Sequence, residues 1–234
     1  LGDLREISMK KDAENNIIGN EEARAAFFAW YSFETYEHKD HVVTLKRPFA
    51  QLNFATTVGD IDEAVAAGLE PKATVTIKNA ANTLDLFTGE TTYIGADGKA
   101  VAEGVAITIP ATEFPKVNGK YPQITVEEVD YEIMAMNYVL VADKGSADGK
   151  TTVDLTVKVG EGELNVPTAN MMRNWRTNVV GELLTGEGTF KVTIDPIFDG
   201  AYDHNWNDGT SGEDVVNTFA AAASEKNPAK VDAK

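Results

Sequence analysis

The sequence predicts a mainly β protein: an antiparallel sandwich across roughly residues 41–200, interrupted by short helical insertions. Three features carry the prediction. Several short runs alternate apolar and polar residues with a period of two, as half-buried strands do. One run, "YEIMAMNYVLVA", is apolar on both parities, which suits a central strand covered on two faces. Turn-forming sequences separate the runs: "ADGK" at 96–99 and 147–150, "VNGK" at 117–120 and "TGEG" at 185–188.

The first forty residues read differently. Asn20 is a good N-cap residue, and Glu21 and Glu22 follow where the helix dipole favours acids, so a short helix is expected from about 21 to 29. The aromatics after it (Trp30, Tyr31, Phe33 and Tyr36) call for a core that residues 1–40 alone do not supply. "LGDLREISMK" does not begin with Met and reads as the middle of a longer sequence.

From His41 onward the pattern is β. "VVTLKRPFAQLNF" places Val43, Leu45 and Phe49 on one parity and Leu52 and Phe54 on the other. A switch beside Pro48 implies a bulge or bend. Asp60 and Glu63 form a D-x-x-E capping arrangement for a helix that Gly68 and Pro71 stop. "ATVTIKN" then turns Val75 and Ile77 inward. "VAITIP" does the same with Val105, Ile107 and Ile109, and "VDLTVKV" with Val153, Leu155, Val157 and Val159. "FKVTID" places Phe190, Val192 and Ile194 inside. After Ile197 the pattern lapses into a polar loop, a short helix capped by Ser211 and a frayed tail over 201–234.

Composition narrows the chemistry. The 234-residue chain is long enough for a proper core, with 43% apolar and 25% charged residues. No run approaches the length of a membrane span. A net charge of −16 repels phosphate backbones and argues against nucleic-acid partners. The absence of cysteine removes disulfides, thiolate nucleophiles and Cys-zinc sites together.

Catalytic motifs are lacking. His38, His41 and His204 have no metal-binding spacing, and there is no G-x-S-x-G, Walker or G-x-G-x-x-G pattern. The strongest metal candidate is "DGAYDHNWNDG", where Asp199, Asp203 and Asp208 offer hard oxygen ligands for calcium. Its spacing is not that of an EF-hand, and a solvated Asp/Asn loop has the same composition. Tyr202 and Trp206 in the 199–208 loop offer an alternative function, a surface carbohydrate- or ligand-binding module.

The densest polar cluster is Arg173, Asn174, Trp175, Arg176, Thr177 and Asn178. Anion or base recognition is one reading, and the charge balance disfavours the base. The favoured reading is architectural. The arginines bond backbone carbonyls or acidic neighbours where a loop leads into the last hairpin, and the asparagines supply local turn bonds.

Three segments resemble the Bacteroidetes fimbrillins. "NVPTANMMRNWRTNVVGELLTGEGTFKVTIDPIF", Asn165 to Phe198, is similar to the family's C-terminal signature, with Trp175 where Tyr is usual. "VVTLKRPFAQLNFATT", with Arg47 and Pro48, looks like a second family segment, and "YEIMAMNYVLVA" like a third. They keep family order and cover about 41–198. The resemblance implies two transthyretin-like sandwich domains, exported as a lipoprotein precursor and displayed at the outer membrane or in a fimbrium. Residues 41–200 would be the C-terminal sandwich, and residues 1–40 the end of an incomplete N-terminal domain. It also implies a structural pilus subunit without catalysis. Its partners would be other pilins, or itself, joined by strand addition, with a host or bacterial surface ligand as a further partner.

Overall fold

A computed structural model describes residues 4, 6–9, 11–14, 16–20, 26–29, 42, 43, 45, 47–94, 99, 105–141, 151–186 and 190–196. In chain order the elements are β1 (Ile7–Ser8), β2 (Phe49–Thr57), α1 (Asp60–Ala66), β3 (Lys72–Ala80), β4 (Thr83–Leu84) and β5 (Thr91–Thr92). They continue with β6 (Val105–Glu113), β7 (Gln123–Val126), β8 (Val129–Leu140), β9 (Thr151–Val159), β10 (Gly162–Met171), β11 (Trp175–Gly181) and β12 (Phe190–Pro196). The protein is mainly β, with α1 the one α-helix among the described residues.

Two larger sheets make the body. One has the order β10-β9-β3-β6, the other β12-β11-β2-β8-β7, and a small third sheet joins β1-β4-β5. Val75, Ile77, Ile107, Ile109, Val153, Leu155 and Val157 from the first sheet meet Ala50, Leu52, Phe54, Met134, Val139 and Val179 from the second in one buried cluster. Each such side chain larger than alanine contributes about 1.5–3 kcal/mol on burial. The inward parities expected for β3 and β9 are those observed, and Ile107 and Ile109 of β6 are likewise buried. Pairing is antiparallel except between β2 and β11, which run parallel, a departure from the all-antiparallel expectation.

The doubly apolar run is β8, buried on both faces from Glu132 to Leu140. An extra residue, Met134, is accommodated where the register with β2 shifts. One face joins the main core. On the other, Ile133, Met136 and Tyr138 cluster with Ala55, Val126 and Val180. Lys191 of β12 forms an ion pair with Glu127 in the β7–β8 turn, so the two edge elements of this sheet meet at one end. Sheet coiling of this kind follows from strand twist.

Four sequence expectations are corrected. Strand β2 starts at Phe49, directly after Pro48, and Val43 and Leu45 lie exposed before it. Proline offers no N–H to a ladder, so pairing begins beyond it. The helix expected over 21–29 is absent at residues 26–29, and residues 21–25 lie outside the described set. Asn20 is drawn instead to the open side of β8. Its N–H donates to the Met136 carbonyl (2.9 Å), its side-chain oxygen accepts from the Met136 N–H (2.7 Å) and its amide donates to the Glu113 carbonyl (2.7 Å). Those backbone groups have to be satisfied by something. Gly19 beside it is closely confined: a Cβ there would lie 2.8 Å from Ile109 and 2.9 Å from the Asn137 side chain. Phe190 is 38% exposed, because it begins an edge strand; Val192 packs on the core.

The fourth correction concerns Asp60. The N-cap of α1 is Gly59, and no side chain caps the helix. Asp60 is the first helical residue, and its carboxylate points away to the chain that follows β11. It accepts from the Thr185 hydroxyl (2.5 Å) and N–H (3.0 Å), from the Leu184 N–H (3.0 Å) and from the Thr56 hydroxyl. The Thr56 oxygen in turn accepts from the Leu183 N–H (2.9 Å). Burial pushes this carboxyl up, and the four hydrogen bonds outweigh it and hold the group below its ordinary range. The helix ends as read: Leu69 and Gly68 donate to the carbonyls of Ala64 and Val65, and Pro71 follows.

Replacing Asp60 by Asn turns an amide NH2 toward donors and lowers stability by roughly 3 kcal/mol at neutral pH. Because the native pKa is depressed, the carboxylate's contribution is complete above the unfolded value, near 3.8, and is lost as pH falls through the native one. Urea melts at pH 7 and pH 3 check this: the gap between wild type and Asp60→Asn narrows at the lower pH.

Candidate functional site

Each of the three resemblance segments contributes one of three adjacent strands. β2 lies in the middle, with β11 parallel on one side and β8 antiparallel on the other. Sequence spacing gave no sign of this neighbourhood, since β2 and β11 pair residues 125 positions apart. The parallel register sets Arg176 beside Gln51 and Asn178 beside Asn53. Each pair is joined by side chains: Arg176 Nε donates to Gln51 Oε1 (2.9 Å), and Asn53 Nδ2 donates to Asn178 Oδ1 (2.8 Å). Gln51, Asn53 and Asn178 are all buried. Asn178 thus bonds across strands, not within a turn as its sequence position suggested.

The face that Thr177 presents is different. It is buried, on the core parity of β11, and its hydroxyl donates to the Asn170 carbonyl of β10 (2.9 Å). That bond ties one sheet to the other.

Between β10 and β11 the chain turns sharply at Met172–Asn174. Asn174 takes φ 66°, a left-handed conformation that asparagine tolerates better than most residues. Its N–H donates to the carbonyl of Phe49 at the start of β2 (2.8 Å), and Trp175 N–H returns to the Met172 carbonyl (3.2 Å). Arg173 reaches out of this corner. Its Nε donates to the Val141 carbonyl just beyond β8 (2.8 Å), and an Nη donates to the Gly89 carbonyl (2.7 Å). A planar guanidinium can serve two acceptors in different directions, which a single ammonium does less well. Gly89 has φ 73°, and a Cβ there would come within 3.1 Å of the Phe28 ring.

Arg47 and Pro48 are buried just before β2. The Arg47 guanidinium lies 4.8 Å from the Phe27 ring centroid and 5.9 Å from that of Tyr138 on β8. Stacking of this kind favours arginine, whose charge is delocalised and weakly hydrated.

Residues that the sequence reading did not single out complete the cluster: Gln51, Asn53, Asn170 and Gly89. One available signal was that Gln51 and Asn53 interrupt an otherwise apolar strand on a single parity. The candidate calcium ligands Asp199, Asp203 and Asp208 and the 199–208 loop lie outside the described residues, as do His38, His41 and His204. Among the described residues no three His, Asp or Glu side chains are grouped as a metal ion would need. No helix among them is long and apolar enough to cross a membrane.

Fold and cluster together define a β-sandwich protein with a polar seam binding its strands to one another. The chain belongs to the family of unknown function DUF6562, whose model matches residues 1–219. No curated protein matches it. Among solved structures it is similar to a candidate cell adhesion protein from Bacteroides uniformis, at 12% identity and TM-score 0.33, covering 66% of this chain and 53% of that one. A candidate cell adhesion protein from Bacteroides ovatus has 16% identity and TM-score 0.33, with 66% and 46% covered. The tip fimbrial protein Mfa3 from Porphyromonas gingivalis, truncated at its C-terminus, has 11% identity and TM-score 0.33, with 65% and 52% covered. The chain thus spans about half the length of each.

Arg173→Lys keeps the charge and gives up one of the two carbonyl bonds, lowering stability by about 1–2 kcal/mol. Gly89→Ala combines a left-handed alanine with the Phe28 contact and loses at least about 1 kcal/mol. Thermal melts of the two variants and their double mutant measure both effects. Since Arg173 and Gly89 are in contact, the double mutant falls short of the sum.

Proposed function

We propose that this chain is a structural subunit of cell-surface fimbriae, or a fimbrillin-like surface lipoprotein, assembling by β-strand addition and without catalysis. The observation that supports the reading most is the meeting of the three fimbrillin-like segments in β11, β2 and β8. Their polar residues are engaged with one another and with backbone carbonyls, so they are suited to holding a sheet. In this reading Arg47, Pro48, Arg173, Asn174, Trp175, Arg176, Thr177 and Asn178 form an architectural signature, not a ligand site.

Strand addition suits such a body. An open sheet edge offers a row of N–H and C=O groups above apolar pockets, and a partner's extended segment fills both. Burying several apolar side chains at about 1.5–3 kcal/mol each offsets ordering a loose segment at about 1–2 kcal/mol per residue. Long-lived polymers then need no covalent link. The same reading takes residues 41–200 as a transthyretin-like domain, residues 1–40 as the end of a preceding one, and the outer membrane surface as the location.

Electron microscopy of the processed full-length protein tests the proposal, and filaments are the expected result. A monodisperse monomer whose melting temperature rises with a glycan or with calcium would overturn it in favour of a surface binding module.

A further inference from the structure

Residues 17–20, which precede every strand of the two larger sheets, bridge the side of the sandwich between β6 and β8. Ile17 sits in the main core cluster. Gly19 is wedged between Ile109 of β6 and Asn137 of β8. Asn20 bonds the backbone of Met136 on β8 and of Glu113 on β6. The run is a strap across the gap between the sheets.

Under the strap lies a polar group in an apolar setting. Asn137 is on the parity of β8 that carries Ala135 and Val139 into the core, and it pairs with the buried Leu52 of β2. It is 4% exposed, and neither its Oδ1 nor its Nδ2 has a hydrogen-bond partner among the described residues. The other buried amides of this sheet, Gln51, Asn53 and Asn178, each make a side-chain hydrogen bond. An amide unpaired at both ends costs free energy for as long as it stays buried, and contact with water relieves the cost.

What lies over Asn137 is Gly19. An added Cβ there would fall 2.9 Å from Oδ1 and 2.8 Å from Ile109, so the strap closes this tightly only because the residue has no side chain. Closing and opening tendencies therefore act on the same few residues. Burial of Ile17 and the Asn20 bonds hold the strap down, and the dry amide beneath works against them.

We propose that residues 17–20 open as a unit from the side of an otherwise folded sandwich, and that Asn137 sets how often they do. In the open state the Met136 N–H and the Asn137 amide reach water, while β8 keeps its pairing with β2 from Tyr131 to Leu140. Opening frees the chain before Asn20 from the body without unfolding it. This conformational device does not depend on whether subunits join by strand addition.

Amide hydrogen exchange of the 234-residue chain, followed residue by residue, tests the inference. The Met136 N–H, held by Asn20 Oδ1, reports the strap. The amides of β3 and β9, each paired on both sides, report global unfolding. Met136 exchanges faster than they do, and its rate hardly changes at low urea, because a small opening exposes little surface. Asn137→Leu, similar in shape but without polar atoms, slows Met136 exchange about tenfold. Gly19→Ala quickens it about tenfold through overpacking. Asn137→Val repeats the first substitution with a smaller side chain in case leucine crowds Gly19, and slowing in either folded variant supports the inference. A Met136 amide that shares the rate and urea dependence of β3 and β9 overturns it. So does a Met136 rate that neither apolar variant lowers, or one that Gly19→Ala leaves unchanged.

Discussion

The structure depends on one strand being paired on both edges and covered on both faces. β2 lies between β8 and β11, and its core-facing Ala50, Leu52 and Phe54 are fully buried. Its other parity carries Gln51 and Asn53, which are also buried. Polar groups in that position destabilise a sheet unless they are bonded. β11 supplies partners for the Gln51 oxygen and the Asn53 amide nitrogen, because the parallel register sets Arg176 and Asn178 beside them. The seam is therefore a condition of the pairing as well as its product. It specifies which strand belongs next to β2 and in what register, a choice that apolar residues alone leave open by two-residue slips.

The other polar contacts extend the same logic to the corners. Arg173 and Asn174 tie the β10–β11 turn to the ends of β8 and β2, and Thr177 reaches across to β10. Asp60 holds the segment after β11 at the opposite end of the strand, through donors at Leu184 and Thr185. β11 is consequently anchored before its first residue, along its length and after its last. Anionic and cationic side chains here act on backbone groups of the same chain, where hydrogen bonds to charged groups are worth about 1.5–3 kcal/mol each.

Much of the sheet content was legible in the residues. β9 alternates without interruption, β3 does so from Ala73 to Ile77, and the doubly apolar run of β8 announced burial on two faces. Period-two alternation reports which face a side chain takes, but it carries no information on which strand lies alongside. Hence the parallel β2–β11 pair was invisible, and with it the meeting of Gln51 with Arg176 and Asn53 with Asn178. Local capping rules misassigned Asp60 and Asn20 for a related reason. Both have the chemistry to cap a helix, but distant backbone groups compete for the same oxygens, and those groups become neighbours only in the folded sheet. Pro48 was recognised as a disturbance, though it marks the start of β2 and not a bend within it. Arg173 was readable as a residue for carbonyls, whereas the identity of those carbonyls, at Gly89 and Val141, was not.

The parallel pairing also bears on the order of events as the chain is made. β2 leaves the ribosome before every other described strand of the two larger sheets, and β11 emerges only after the whole of the opposing sheet. Until then one edge of a strongly apolar strand lacks the neighbour it has in the finished protein. Nascent chains with such late closure collapse slowly and are prone to associate through the waiting edge. Cellular handling that keeps the polypeptide unfolded until its end has appeared would suit this topology better than folding from the N-terminus during synthesis.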